Sequence, residues 1–159
     1  MKNIQVVENY SKLEQAKLKG ISGSKLNYAI LCNKALLKTT AEAIQASRVY
    51  TPEFDKYLED TKKIFDKYAD KDANGDNVIY GNQHKISNVE YLQKYKFEIL
   101  EFSKDKEDLM AAAAIVDNEF FAFLEEESTI EIKTVSISLI PETITIEQLD
   151  ALMFMVTND

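Results

Sequence analysis

The stretch SKLNYAILCNKALLKTTAEAIQASR, residues 24–48, decides how this chain is built. Leu26, Ala29/Ile30, Leu36/Leu37, Ala43/Ile44 and Ser47 recur at three- and four-residue spacing, which gathers them on one face of an α-helix. Asn33 and Thr40 interrupt that stripe where a core helix would carry apolar groups. Thr51-Pro52 then opens a second helix, with Thr51 as its N-cap and Pro52 at the first helical position, where a missing N–H does no harm. Phe54, Tyr57/Leu58, Ile64/Phe65 and Tyr68 continue the apolar spacing to about Ala69. Two helices joined by two or three residues lie antiparallel, so residues 24–69 are expected to form a helical hairpin.

Upstream, Gly20-Ile21-Ser22-Gly23 breaks the chain, and a short helix over residues 11–19 or a short strand over residues 4–7 is expected before it. Downstream, residues 77–80 and 83–86 flank Gly81-Asn82, a turn signal that predicts a small β-hairpin. Ser87 and Glu90 have the spacing of a capping box, and the helix it opens turns Leu92, Tyr95, Ile99 and Phe102 inward. Residues 105–126 are again helical, with Leu109, Ile115 or Val116, Phe120 and Phe123/Leu124 on one face. The sequence allows residues 88–126 as one helix or as two, broken near residues 103–105.

The alternation of Ile130 and Ile132, then Val135, Ile137 and Leu139, predicts a strand over residues 129–140 with a bulge at Lys133-Thr134. Thr145 and Gln148 form another capping box, opening a last helix with Ile146, Leu149, Leu152/Met153 and Val156 buried. No repeat or linker divides the sequence. The expectation is a single α+β domain over residues 1–159, mainly helical, built on an antiparallel helical hairpin with further helices and a small antiparallel β-sheet.

Composition narrows the chemistry. The 159 residues carry 19 Lys+Arg against 27 Asp+Glu, a net charge of −8, which disfavours nucleic acid as a partner. One cysteine, Cys32, makes no internal disulfide, and with one histidine builds no zinc site. No apolar run approaches the roughly 20 residues of a membrane helix, and no signal-peptide core is present, so no membrane partner is expected. The charge is uneven: residues 1–51 sum to +5 and the remaining 108 to −13. Such polarity steers a partner or a second copy, unless the early cations pair with acids elsewhere in the fold.

Few motifs carry chemistry. Asp70, Asp72, Asn74, Gly75 and Asp76 match the first half of a calcium loop, but Gly81 stands where the bidentate carboxylate is due. Asp70, Asp72, Asn74 and Asp76 are therefore metal candidates for a weak calcium site, against a plain Asx-rich turn. His84 has no second ligand or nucleophile at useful spacing, and Cys32 sits beside the helical stripe as a core thiol. Glu125, Glu126 and Glu127 close a helix against its dipole, a frayed end or a site for a basic partner. Tyr57, Tyr68, Tyr91 and Tyr95, spaced along helices, are interface candidates, as core packing also explains. Ala111 to Ala114 lets another backbone approach closely.

Residues 26–30 with Asn33, the run 54–68 followed by residues 70–75, and the carboxy-terminal runs 130–132 and 144–152 resemble a family of small tailed-phage and prophage proteins known as a domain of unknown function. The resemblance implies a phage origin and a non-enzymatic role, and assigns no functional residues. The expected function is that of a phage-encoded binding or structural protein, a minor virion or assembly component, without catalytic residues or cofactor. Alternatives are an accessory protein that binds and inhibits a host immune or regulatory factor, and a weak calcium or small-molecule binding module. A protein partner or self-association, in the host cytoplasm or the virion, goes with these readings.

Overall fold

A computed structural model describes residues 1–18, 20–80 and 83–158, and for Tyr80 and Gln83 the backbone. In chain order the elements are α1 (Asn3–Gln15), α2 (Ser24–Ala46), α3 (Pro52–Tyr68), β1 (Ile79–Tyr80), β2 (Gln83–His84), α4 (Val89–Ser103), α5 (Glu107–Leu124), β3 (Val135–Ser136), a 3-10 turn (Ile137–Leu139), α6 (Ile146–Leu152), a second 3-10 turn (Met153–Met155) and β4 (Val156–Thr157). They divide into two compact units. Unit 1 is Met1–Arg48 with Asn118–Asp159, and unit 2 is the intervening Val49–Asp117.

In unit 1, α1 packs along α2. Val6 and Leu13 of α1 meet Leu26, Ala29, Ile30, Leu37, Ala41 and Ile44 of α2, with Leu124, Val135, Leu152 and Met155 completing the core. Fully burying a side chain of this size contributes about 1.5–3 kcal/mol, so this stripe dominates the stability of the unit. The first helix is longer and earlier than expected, and no strand forms at residues 4–7. The N–H of Lys2 donates to Gln5 Oε1 at 2.9 Å and that of Asn3 to the Glu126 carbonyl at 2.9 Å, which starts α1 at Asn3. It ends at Gln15, and Lys19, the expected end, lies outside the described residues.

Residues 129–140 correct the clearest strand expectation. Only Val135–Ser136 is extended in a ladder, paired in parallel with Val156–Thr157. Ser136 Oγ then accepts the Ser138 N–H at 3.0 Å and turns the chain into a 3-10 helix, leaving Ile137 and Leu139 in solvent. The Thr145 capping box is present in both directions, Gln148 N–H to Thr145 Oγ1 at 3.2 Å and Thr145 N–H to Gln148 Oε1 at 3.1 Å. The helix behind it has seven residues, and the 3-10 turn that follows buries Met155 while Ile146 and Met153 face out.

In unit 2, α3 pairs with α4. Thr51 Oγ1 accepts the Phe54 N–H at 3.2 Å with Pro52 directly behind it. The cap of α4 is Asn88 rather than Ser87: its Oδ1 accepts from Glu90 N at 2.9 Å and Tyr91 N at 3.2 Å, while the Ser87 N–H donates to Asp70 Oδ1 at 2.9 Å. Residues 88–126 are two helices, parted at residues 104–106. Of the alanine run, Ala113 alone is buried. Ile79–Tyr80 and Gln83–His84 form an antiparallel ladder two residues long on each side; the turn expected at Gly81-Asn82 lies outside the described residues.

The α+β expectation is thus corrected. The described residues are mostly helical, and the sheet built into the core is a two-stranded parallel pair, not an antiparallel one. A strand needs a partner of matching length, and β4 offers residues 135–140 two. The two helices of the hairpin expected over residues 24–69 fall in different units, α2 in unit 1 and α3 in unit 2. The connection between α2 and α3 spans residues 47–51, and each helix takes its packing neighbour from its own unit, α1 for α2 and α4 for α3.

Candidate interaction surface

Unit 2 is built around a helical pair, α3 and α4, held by aromatic rings. Tyr57 lies between Phe54 and Phe102, with ring centroids 5.7 and 5.6 Å away and planes within 25° and 9°, and its hydroxyl meets Ser103 Oγ at 3.0 Å. Phe65 meets Tyr95 edge-on at 5.7 Å, and Tyr68 meets Tyr91 at 6.2 Å. These contacts give α4 its inward face, Leu92, Tyr95, Ile99 and Phe102, as the heptad spacing expects.

A helix of fifteen residues with one apolar face is ordinary, but α4 has two. Val89, Gln93, Phe97 and Leu100 fall at i, i+4, i+8 and i+11, within about a quarter of the helix circumference and away from the α3 face. Val89 is 69%, Phe97 67% and Leu100 62% exposed. No residue of α4 is fully buried. Beside the stripe lies a shallow basin of about 470 Å³ lined by Tyr68, Gln93, Lys94, Phe97, Glu98 and Glu101.

Charge rims the basin. Glu98 Oε2 accepts from Lys67 Nζ at 2.7 Å and from the Tyr68 hydroxyl at 2.5 Å. Those two donors, the lysine first, hold the Glu98 carboxyl below the usual carboxylate range, and Glu98 in turn raises Lys67. Lys94 pairs with Glu90 at 2.6 Å, which raises the lysine and lowers the acid. Lys104 pairs with Glu101. The result is an apolar shelf with an ordered polar edge, suited to covering by another polypeptide.

The residues singled out from sequence are dispersed. Tyr68 lines the basin and Tyr91 sits at its margin, whereas Tyr57 and Tyr95 are spent on the α3–α4 contact. Glu125 pairs with Lys2 at 2.7 Å and Glu127 with the amino group of Met1 at 2.8 Å, and the Glu126 carbonyl accepts the Asn3 N–H. Asp72 Oδ1 accepts from Asn74 N at 2.8 Å and Asp76 N at 3.0 Å, and Gly75 turns at φ +88°. Asp72 therefore braces the loop's own backbone and Asp70 that of Ser87, and among the described residues no group of three or more His, Cys, Asp or Glu is arranged to hold a metal ion. Exposed His84 has Nδ1 3.3 Å from the Val78 carbonyl, and Cys32 is half-buried on α2.

The charge polarity also resolves. Residues 1–48 carry eight cations and three acids, residues 118–159 one cation and nine acids, and both segments belong to unit 1, whose net charge is −3. Lys2–Glu125 and Lys12–Asp150, at 2.7 and 3.0 Å, join the two segments directly.

The inward spacing of Leu92, Tyr95, Ile99 and Phe102 accounts for one face of α4 and leaves its exposed stripe unassigned. The signal was available: four residues at helical spacing, out of phase with Leu92, Tyr95, Ile99 and Phe102. Among the described residues no helix is long and apolar enough to cross a membrane. Comparison with protein-family models, with curated proteins and with solved structures finds no match to the chain.

Proposed function

We propose that the chain is a non-enzymatic binding or structural protein of a tailed phage or prophage, a minor virion or assembly component, and that it makes its contact through α4. The observation that carries the reading is the second apolar face of that helix, with Val89, Phe97 and Leu100 in solvent beside an ordered charged rim. Three large exposed apolar side chains share one stripe of one helix, with Gln93 between Val89 and Phe97, and apolar surface gathered in this way marks contact sites. The phage assignment rests on the resemblance of residues 26–30 with Asn33, of 54–68 with 70–75, and of 130–132 and 144–152.

Mass spectrometry of purified virions tests it, with wild-type chain and with Phe97→Glu. The wild-type protein is expected in particles and the variant is expected to be depleted from them. Absence of the wild-type chain from particles would overturn the virion role. Capture of one defined host protein, lost with Phe97→Glu, would then place the chain among accessory inhibitors.

A further inference from the structure

The α4 stripe has flanks of opposite charge at a spacing that suits a second copy of the same helix. Lys96 borders the stripe on one side and Glu101 on the other, five residues later. Both are exposed, and Glu101 is tied to Lys104 within its own chain. In two parallel helices packed on such a stripe, a residue on one flank faces the residue five positions further along on the partner's opposite flank. Lys96 of each copy then meets Glu101 of the other, twice per pair. Antiparallel packing would bring like flanks together instead, setting lysine near lysine and acid near acid.

We infer that the chain self-associates through α4 as a parallel two-fold pair, with Phe97 and Leu100 at its centre and the Lys96–Glu101 contacts along its edges. Gln93 lies on the seam, where its side-chain amide meets its own symmetry mate and fixes the register, the use polar seam residues have in helical pairs. The apolar stripe covers less than two full heptads, well under the surface of a standard stable interface, so association is weak and concentration-dependent. A weak self-contact of this kind gains strength when many copies are held on one particle. The inference rests on the reading of α4 as the contact surface and names its occupant.

Sedimentation equilibrium of the full chain over a wide concentration range tests it, with far-UV circular dichroism to verify helix content in each variant. The average mass of the wild-type chain is expected to climb from one chain towards two. Phe97→Glu is expected to hold it at one. Lys96→Glu, which sets acid against acid at both edges, is expected to weaken association roughly ten-fold, and adding Glu101→Lys to restore it. A wild-type chain that stays monomeric overturns the inference, as does a dimer indifferent to Phe97→Glu. Failure of Lys96→Glu to weaken the dimer, or of the double exchange to restore it, overturns the parallel arrangement. A monomeric wild-type chain whose Phe97→Glu variant is still lost from particles removes the self-contact and leaves the proposed function standing.

Discussion

The side-chain amide of Asn33 and the backbone of Lys133 exchange two hydrogen bonds across a hundred residues of chain: Nδ2 donates to the Lys133 carbonyl at 2.8 Å and the Lys133 N–H donates to Oδ1 at 2.9 Å. Asn33 is 1% exposed, in the middle of the apolar face of α2. The amide does for residue 133 what a neighbouring strand would do, which supplies the incoming segment with its partners just before Val135 joins β4.

Removing that amide strands a backbone donor and a backbone acceptor. Asn33→Ala is expected to destabilise the protein by about 2 kcal/mol or more, and Asn33→Leu to fare no better, because the added apolar bulk satisfies neither group. Urea unfolding gives the loss, and the Lys133 amide should exchange with solvent faster in both variants. Unchanged exchange at Lys133 would mean that the pairing is not what holds this segment.

The two segments of unit 1 are joined by ion pairs at the surface and by side chains in the core, and the core should dominate. Lys12→Ala breaks an exposed pair with Asp150, and its unfolding midpoint is expected to stay within the scatter of ordinary surface substitutions. Leu37→Ala empties a site with no solvent exposure and is expected to cost about 2–5 kcal/mol. A Lys12→Ala loss comparable to that of Leu37→Ala would reverse the ranking.

Acid should loosen unit 2. The Lys67 ammonium and the Tyr68 hydroxyl hold the Glu98 carboxyl low, and Lys62 with the Asn77 amide does the same for Asp66. A carboxyl lowered by folding contributes stability that is fully present above its unfolded value, about 4, and is lost as pH falls through the lower folded value. Thermal unfolding is therefore expected to be flat near neutrality and to weaken below about pH 4. Glu98→Gln combined with Asp66→Asn should reduce that acid slope, and an unchanged slope would assign it to other carboxylates.

The loop after α3 should behave as a turn. Gly75→Ala meets no neighbouring atom, yet its φ of +88° is unfavourable for a side chain, so a loss of about 1 kcal/mol is expected from the backbone alone. Asp72→Ala removes the acceptor of two N–H groups and should cost about as much. Titration with millimolar calcium is expected to give no binding heat. Saturable heat that disappears in Asp72→Ala would restore the metal reading.

Local grammar was legible where the responsible atoms are close in sequence. The Thr51 cap with Pro52, the Thr145–Gln148 box and the stripe of α2 all depend on neighbours within a turn or on simple periodicity. The strand expected at residues 129–140 failed because alternation says which side a residue faces and nothing about who pairs with it. Its partners turned out to be one buried amide and a two-residue strand. Asn33, which looked like a flaw in the stripe, was the trace of that arrangement. Of the contact surface, Tyr68 and Tyr91 were in view, while Phe97 and Leu100 were hidden by the assumption that a helix has one apolar side.

The interrupted unit has a consequence for synthesis. Unit 2 is complete once residue 117 leaves the ribosome, whereas α1 and α2 must wait for the last forty-odd residues before Leu124, Val135, Leu152 and Met155 can close over them. The Tyr50 hydroxyl donates to Asp117 at 2.5 Å, so the folded middle segment already brings its two ends together. The later loop closure is shortened accordingly. Folding thus runs from the centre outwards: a nascent chain stalled when residue 117 has just cleared the ribosome should protect α3 and α4 from protease while α1 and α2 are still cut.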